Sequence, residues 1–312
     1  MKYLVTGGAG FIGSHLVDRL LKDNNDVTVI DGHNTEVTII DNFTHGKFKN
    51  LPKNDSRLRV FDTDILSDIG HLFEGVDVVF HLAALTRPQW SILHASETDL
   101  VNVQGTVKIL EHCRDNKVKR VVFMSSSNLY GEAEYPTSET TKPNPMNPYA
   151  LQKLIGEQYC QLFEKLYQLE WNAIRPFNVY GTRMPITGIW TSAVATFIDV
   201  LKNEKPLQMF GDGNQRRDFV YIDDLVEMLL LSAHSSIYGE AFNCGSGKNY
   251  SINELYELIC EIMGKKVEPR RDPAQFEPSQ TLADISKARY MLKWEPKIDL
   301  KEGLRRTIEN SN

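Results

Sequence analysis

Three regularly spaced glycines near the start of the chain constrain its fold more than any other feature. Gly7, Gly10 and Gly13 follow the short apolar run Tyr3–Val5, and an apolar helical pattern comes next. Glycine permits a tight turn with close backbone approach, and a helix that begins there presents free N–H groups and the positive end of its dipole. Such a unit is typical of pyrophosphate binding, although a glycine-rich turn before an ordinary helix has the same appearance.

The composition indicates an ordinary globular protein. The 312 residues are 41% hydrophobic and 24% charged, and the formal net charge of -6 leaves no basic face for nucleic acid or anionic lipid. No apolar run approaches the roughly 20 residues of a membrane helix, and the first strand leaves no room for a signal peptide. The four cysteines match no disulfide or zinc spacing, and the histidines match no metal-ligand spacing. We expect a cytoplasmic protein that binds neither nucleic acid, membrane nor metal.

Strand-like apolar runs alternate with helical patterns up to Pro176, and the rhythm then loosens into short strands, glycine turns and helices. The alternation predicts an α/β fold, a doubly wound parallel sheet over residues 1–176, with a smaller α/β lobe over residues 177–312 and interleaved boundaries. The expected strands are Tyr3–Val5, Val37–Ile40, Leu58–Phe61, Val76–His81, Val121–Ser125 and Trp171–Arg175. The expected helices are Ile12–Lys22, Leu100–Asn116 and Pro148–Tyr167.

A near-duplication offers two candidates for the second strand. Val27–Asp31 and Val37–Asp41 are almost copies, and each ends in an acid that could hold an adenosine ribose. An insert before Val37 would lengthen only a loop on the far side of the sheet, which costs little. We therefore favour Asp41, with Asp31 as its rival; in that rival reading the second copy is an edge strand.

Tyr149 and Lys153 are spaced to lie on one helical face, one turn apart. A cation held there favours phenolate over phenol and would bring the tyrosine pKa down from about 10. The run Ser125-Ser126-Ser127 follows an apolar strand, at the edge of a parallel sheet where ligands bind. A serine there could donate to a substrate oxygen while Tyr149 takes its proton.

Together these motifs resemble the extended short-chain dehydrogenase/reductase superfamily, in particular its NAD-dependent nucleotide-sugar epimerase/dehydratase family. The resemblance covers nearly the whole chain and implies a Rossmann-type fold. It is carried, in order, by Thr6–Gly13, Asp64-Ile65, His81–Ala84, Asn102–Thr106, Ser125–Gly131, Asn147–Lys153, Arg175–Gly181, Gly211–Asp224 and Leu282–Ala288.

The resemblance implies NAD as the cofactor. In the family, the glycines wrap the pyrophosphate, and an acid at the end of the second strand favours NAD over NADP because it repels a 2′-phosphate. The positions implied for cofactor binding are Gly7, Gly10, Phe11, Ile12, Gly13, Asp41, Asn42, Asp64, Ile65, Leu82, Ala83, Ala84, Asn102, Tyr149 and Lys153.

The resemblance also assigns catalytic roles. Tyr149 matches the catalytic base, and Lys153 matches the lysine that binds the nicotinamide ribose and lowers the tyrosine pKa. Counting back from Tyr130-Gly131 places Ser126 at the catalytic hydroxyl position. The positions implied for substrate binding are Thr86, Ser126, Asn178, Arg217 and Thr281.

The residues after Ser126 narrow the reaction. Family dehydratases carry an Asp-Glu pair there, whereas this chain has Ser127-Asn128, neither of which performs acid–base work near neutral pH. We therefore expect a 4-epimerase, which oxidises C4 of a nucleotide sugar and returns the hydride to the other face. The alternatives are an NAD(P)H-dependent 4-ketosugar reductase and a non-catalytic NAD-binding regulator.

Two departures from the family pattern concern the substrate. The family has an arginine on the diphosphate where this chain has Ala274, and Arg270 or Arg271 could replace it although neither is in register. The segment 272–279 resembles GDP-sugar members, while the rest favours a UDP-sugar. Thr281 stands where a small residue leaves room for an N-acetyl group, so we expect N-acetylhexosamines to be accepted as well as hexoses.

The resemblance further implies a homodimer. The helical patterns Leu100–Asn116 and Pro148–Tyr167 correspond to the helices that pair across the dimer interface in the family.

Overall fold

The central feature of the fold is a parallel sheet of seven strands. The computed structural model describes residues 1–22, 35–185, 192–274 and 277–310. The strands of the described residues are β1 (Lys2–Thr6), β2 (Glu36–Asp41), β3 (Leu58–Asp62), β4 (Val78–His81), β5 (Arg120–Met124), β6 (Glu170–Pro176), β7 (Asn178–Tyr180), β8 (Gln208–Phe210), β9 (Arg216–Tyr221), β10 (Glu240–Cys244), β11 (Asn249–Ser251) and β12 (Arg270–Asp272).

The order in the large sheet is β3-β2-β1-β4-β5-β6-β10, with every pair parallel. The first six strands have the doubly wound Rossmann order, which confirms the predicted fold class. The direction of winding changes between β1 and β4, so their carboxyl ends open a crevice there. The inner strands are apolar because both faces of the sheet are covered there: β4 and β5 are buried throughout, whereas the edge strand β3 is partly exposed.

Helices cover both faces of this sheet. The α-helices of the described residues, some of which pack on the second lobe instead, are α1 (Phe11–Leu21), α2 (Pro88–Leu93), α3 (Ala95–Asp99), α4 (Gly105–Asp115), α5 (Pro148–Tyr167), α6 (Ala193–Asn203), α7 (Ile222–His234), α8 (Ile252–Met263), α9 (Ser286–Met291) and α10 (Leu300–Glu309). The described helices include none with the length and apolarity that a membrane span requires.

The second lobe is built from the short strands. The mixed sheet β11-β9-β7 and the pair β12-β8 lie outside the large sheet, and the chain returns to the large sheet at β10. The residues after Pro176 therefore contribute strands both to the large sheet and to the short sheets.

Two details differ from the simple alternation of strands and helices. The expected helix Leu100–Asn116 begins with a π-helical stretch, Leu100–Gln104, before α4. The second copy of the duplicated run forms β2, between β1 and β3 rather than at an edge. The first copy, with Asp31, lies outside the described residues.

Candidate active site

A cleft of about 610 Å³ lies at the carboxyl ends of the large sheet, between the sheet and the second lobe. The structure brings to its wall every predicted site residue except Asn102. These are Gly7, Gly10, Phe11, Ile12, Gly13, Asp41, Asn42, Asp64, Ile65, Leu82, Ala83, Ala84, Thr86, Ser126, Tyr149, Lys153, Asn178, Arg217 and Thr281. The two expected ligand halves therefore share one cavity.

The glycine turn closes one end of the cleft. Gly7 has φ +71, and Gly10 N–H donates to Gly7 O at 3.1 Å before α1 begins at Phe11. A Cβ on Gly13 would lie 2.1 Å from Gly7 O, so helix and turn pack too closely for any side chain. A Cβ on Gly10 would meet only Gly7 O, at 3.2 Å, so the protein itself could accommodate alanine there. A strict need for glycine at this position would come from a ligand in the cleft.

Asp41 stands at the end of β2 and is 8% exposed. Its carboxylate accepts Ala9 N–H at 2.9 Å and Phe43 N–H at 2.8 Å. Burial raises the pKa of Asp41, and these two hydrogen bonds oppose that shift. Each carboxylate oxygen keeps a second lone pair, which could accept a hydrogen bond from a ribose hydroxyl.

Asp64 and Ile65 follow β3 at the same end. Asn42 Nδ2 donates to Asp64 Oδ2 at 2.8 Å, and Leu66 N–H donates to Asp64 Oδ1 at 2.8 Å. The end of β3 is thereby tied to the end of β2.

Asn102 supports the cleft from behind instead of lining it. Its side chain accepts Leu85 N–H at 2.8 Å and donates to Leu85 O at 2.9 Å and to Gln152 Oε1 at 2.9 Å. It therefore fixes the loop after β4 against α5. The sequence analysis assigned Asn102 to cofactor binding and did not predict this supporting contact.

Helix α5 presents Tyr149 and Lys153 to the cleft. The Asn147 side chain accepts Ala150 N–H at 2.9 Å, and Pro148 occupies the first turn, so the helix begins just before Tyr149. Tyr149 and Lys153 are buried, at 6% and 2% exposure. Lys153 Nζ lies 5.9 Å from the Tyr149 ring centroid and donates to Met124 O at 2.8 Å.

Ser126 faces Tyr149 from the end of β5. Its Oγ accepts the Asn128 N–H at 3.2 Å and Nδ2–H at 3.0 Å. Both lone pairs of the hydroxyl are thus used, and its O–H remains to donate. A hydrogen bond from Ser126 favours the Tyr149 phenolate.

In the protein without bound ligands, Lys153 does not lower the Tyr149 pKa as the sequence analysis expected. Burial raises the pKa of Tyr149 to about 12, and only the Ser126 hydrogen bond opposes this. Burial lowers the pKa of Lys153 to about 7, so the lysine is itself only marginally cationic near neutral pH. The spacing predicted the contact, but desolvation of both groups outweighs their mutual effect.

The cleft contains no carboxylate beside Ser126 among the described residues. Its acidic wall residues are Asp41 and Asp64 at one end and Glu277 at the other. Ser127 and Asn128 line the cleft where an elimination would require acid–base groups.

Arg217 is the cation of the second-lobe end of the cleft. It is 8% exposed; Nη1 donates to Arg216 O at 2.9 Å, and Nη2 lies 3.0 Å from Glu277 Oε2. Asn178 Nδ2 donates to Asp218 O at 2.9 Å, and Thr281 N–H donates to Arg216 O at 3.0 Å. These contacts bring three separate chain segments to one wall.

Neither Arg270 nor Arg271 lines the cleft. Arg270 pairs with Asp272 at 3.1 Å, and Arg271 Nη2 donates to Asn253 Oδ1 at 3.0 Å. The structure thus gives no support to either as a substitute for the missing arginine. Sequence reasoning overlooked Glu277, although Glu277 stands in register with the acid that follows that arginine in the family.

The residues at the glycine end fit a dinucleotide. A pyrophosphate requires a turn without Cβ atoms and free N–H groups, which the glycine turn and the start of α1 provide. A ribose requires an acid, which Asp41 provides at the end of β2. The described wall near Asp41 carries no lysine or arginine for a 2′-phosphate, which fits NAD better than NADP.

Comparison with known proteins gives the same picture. The sequence profile of the NAD dependent epimerase/dehydratase family matches residues 3–245. A UDP-glucose 4-epimerase of Mycolicibacterium smegmatis is 36% identical over 317 residues, covering 99% of this chain and 98% of the relative.

Two solved structures extend the comparison to the fold. A Thermotoga maritima UDP-glucose 4-epimerase with UDP-glucose is 34% identical, with TM-score 0.91 and coverage of 100% and 98%. A Bacillus cereus UDP-glucuronic acid 4-epimerase, in complex with UDP-glucuronic acid and NAD, is 34% identical, with TM-score 0.90 and coverage of 99% and 98%. The chain belongs to the NAD dependent epimerase/dehydratase family, within the extended short-chain dehydrogenase/reductase superfamily.

Proposed function

We propose that this protein is an NAD-dependent UDP-sugar 4-epimerase. The observation that carries the proposal is the juxtaposition of Ser126 and Tyr149 in the cleft that also contains the glycine turn, with Ser127 and Asn128 where an elimination would need acids. The relatives support the same reaction class, since their names are those of UDP-sugar 4-epimerases.

The cofactor's place is the glycine end of the cleft, with Gly7, Gly10 and Gly13 at the pyrophosphate, Asp41 at the adenosine ribose and Lys153 at the second ribose. When bound, NAD⁺ supplies a reversible hydride acceptor at the sugar C4 and a positive charge in the cleft.

The chain's own residues move the proton. Tyr149 takes the proton of the sugar 4-hydroxyl and returns it after the 4-keto sugar has turned over. With the sugar bound, Ser126 turns its one O–H from Tyr149 to the same oxygen, because Asn128 already uses its lone pairs. Low exposure of Tyr149 and Lys153 excludes water from the exchange, so the proton returns to the sugar.

The second-lobe end of the cleft holds the nucleotide. Arg217 is a cation on the wall at that end and binds the diphosphate, with Asn178 on the same wall. Thr281 is small and leaves space for a substituent at C2, so the pocket accepts N-acetylhexosamines as well as hexoses.

A homodimer through α4 and α5 is part of the proposal. Leu100, Leu151, Leu162 and Leu166 lie on or beside these helices and are 43–59% exposed. Such an apolar face is stabilised by pairing with a second copy. The four cysteines are buried thiols, which fits the reducing conditions of the cytoplasm.

The test is a panel of UDP- and GDP-sugars, including UDP-glucose and UDP-N-acetylglucosamine, assayed with the purified protein for inversion at C4. We expect UDP-sugars to be converted without net formation or consumption of NADH, and NAD to be released on denaturation. Stoichiometric consumption of added NADH with a 4-keto sugar would instead indicate a reductase. Inert UDP-N-acetylglucosamine beside active UDP-glucose would refute the role given to Thr281.

A further inference from the structure

Three consecutive residues at the end of β5 are bound to three successive turns of α5. Lys153 Nζ donates to Met124 O at 2.8 Å, and Ser125 Oγ donates to Glu157 Oε1 at 2.5 Å. The Ser126 hydroxyl faces Tyr149 and lowers the pKa of that tyrosine against the effect of burial. Because Tyr149, Lys153 and Glu157 are spaced by four, they lie on one helical face, and this face meets the end of β5.

The helix lies unusually close to the strand at this place. A Cβ on Gly156 would stand 2.4 Å from Phe123 Cζ, so only glycine allows the approach. Lys153 Nζ lies 5.0 Å from the Phe123 ring centroid. This proximity lets the Glu157 side chain reach Ser125.

Arg175 of β6 holds Glu157 from the other side. Arg175 Nε donates to Glu157 Oε1 at 2.9 Å, and Nη2 donates to Oε2 at 2.6 Å. Arg175 Nη1 also donates to Tyr130 OH at 2.7 Å. Glu157 and Arg175 are 5% and 7% exposed, so the pair is buried and its geometry is fixed.

The charges around Lys153 single out Glu157. The groups that face the lysine are Tyr149, Glu157 and Cys160 on α5, and His81 on β4; Arg175 on β6 lies beyond Glu157. Burial lowers the pKa of His81 to about 3 and raises that of the Cys160 thiol, so both are uncharged near neutral pH. Glu157 therefore supplies the negative charge that opposes the effect of burial on the Lys153 pKa.

We propose that Glu157 is a positioning residue for the C4 epimerisation: held by Arg175, it keeps residues 124–126 in register with α5 and stabilises the Lys153 ammonium beside Tyr149. The inference rests on the proposed function, since it concerns how that reaction's base is held and charged.

The test is the pH dependence of kcat in the Glu157→Gln holoenzyme. Loss of the carboxylate lowers the Lys153 pKa, so the ammonium is lost at lower pH. The descending side of the kcat–pH profile therefore shifts to lower pH by about one pH unit. We expect kcat to fall about a hundredfold through misplacement of Ser126, and further as the pH rises. Glu157→Asp keeps the charge but shortens the side chain, so the profile keeps its position while kcat stays low.

Glu170→Gln is the matched control. Glu170 pairs with the buried Arg120 at 2.6 Å, away from the cleft wall, so this variant loses an ion pair and some thermal stability while its pH profile stays that of the wild type. If Glu157→Gln does not fold, Ser125→Ala replaces it, with a reduced kcat and an unmoved profile expected.

The outcomes are separable. Two outcomes, each with an active wild type, would overturn the positioning role alone. In one, the kcat–pH profile of Glu157→Gln lies at the same pH as that of Glu170→Gln. In the other, Ser125→Ala keeps the wild-type kcat. A wild type that inverts no sugar at C4 would overturn the proposed function and this inference together.

Discussion

The two ends of the cleft are built in different ways. At the glycine end, short contiguous segments follow β1, β2, β3 and β4, and the parallel sheet brings them together by its strand order alone. At the second-lobe end, Asn178, Arg217, Glu277 and Thr281 come from separate segments that meet through the short sheet and through contacts between loops. The first end is specified by local motifs, whereas the second depends on the register between distant segments.

The largest effect is expected at the junction of the two ends. Tyr149→Phe removes the proposed base but leaves the ring in place, so kcat should fall about a thousandfold while NAD affinity is unchanged. Tyr159→Phe, on the same helix, is the control and should turn over like the wild type. Steady-state assays of C4 inversion with UDP-glucose measure kcat for both variants. Full activity in Tyr149→Phe would show that the tyrosine is not the base.

Two glycines of the same turn should respond differently to alanine. In Gly13→Ala the new Cβ meets Gly7 O at 2.1 Å, so we expect a loss of stability of at least about 3 kcal/mol. In Gly10→Ala the protein itself makes contact only at 3.2 Å, so the fold should persist and NAD should bind about tenfold more weakly. Thermal unfolding and NAD titration measure both; Gly10→Ala binding NAD as tightly as the wild type would argue against a cofactor at this turn.

Substrate binding at the second-lobe end can be weakened without a change in NAD binding at the glycine end. Arg217→Met should raise the KM for UDP-sugars by roughly tenfold to a hundredfold, because a charged hydrogen bond to the diphosphate is lost, while NAD affinity stays the same. Glu277→Gln should act in the opposite direction and lower KM a few-fold, since the carboxylate competes with the diphosphate for Arg217. A raised KM in Glu277→Gln would mean that the carboxylate itself contacts the substrate.

The difference between the two ends also explains what the sequence could predict. The strand positions, the sheet type and Gly7, Asp41 and Tyr149 follow from local patterns whose spatial outcome is set by parallel strand order, whereas the choice of Ser126 among its neighbours came from the family resemblance. Arg217 and Thr281 required the family resemblance. The Arg217–Glu277 pair and the support of the Leu85 loop by Asn102 depend on packing between distant segments, which no local pattern encodes. The shifted pKa values of Tyr149 and Lys153 depend on burial, which spacing does not measure.

The smallest effect concerns selectivity at Thr281. Thr281→Tyr should lower kcat/KM for UDP-N-acetylglucosamine about tenfold through overpacking, with little change for UDP-glucose. Thr281→Ser is the control and should keep both activities. An equal loss on both substrates would place Thr281 away from the C2 substituent.

The fate of the hydrogen on C4 tests the central claim most directly. The purified protein would be incubated with UDP-glucose that carries deuterium at C4, in ordinary water, and the sugar products would be examined by mass spectrometry and NMR. The account predicts UDP-galactose that retains the deuterium at C4, because the hydride leaves and returns within one closed cleft. Loss of the deuterium to solvent, or the absence of any C4-inverted product, would contradict it.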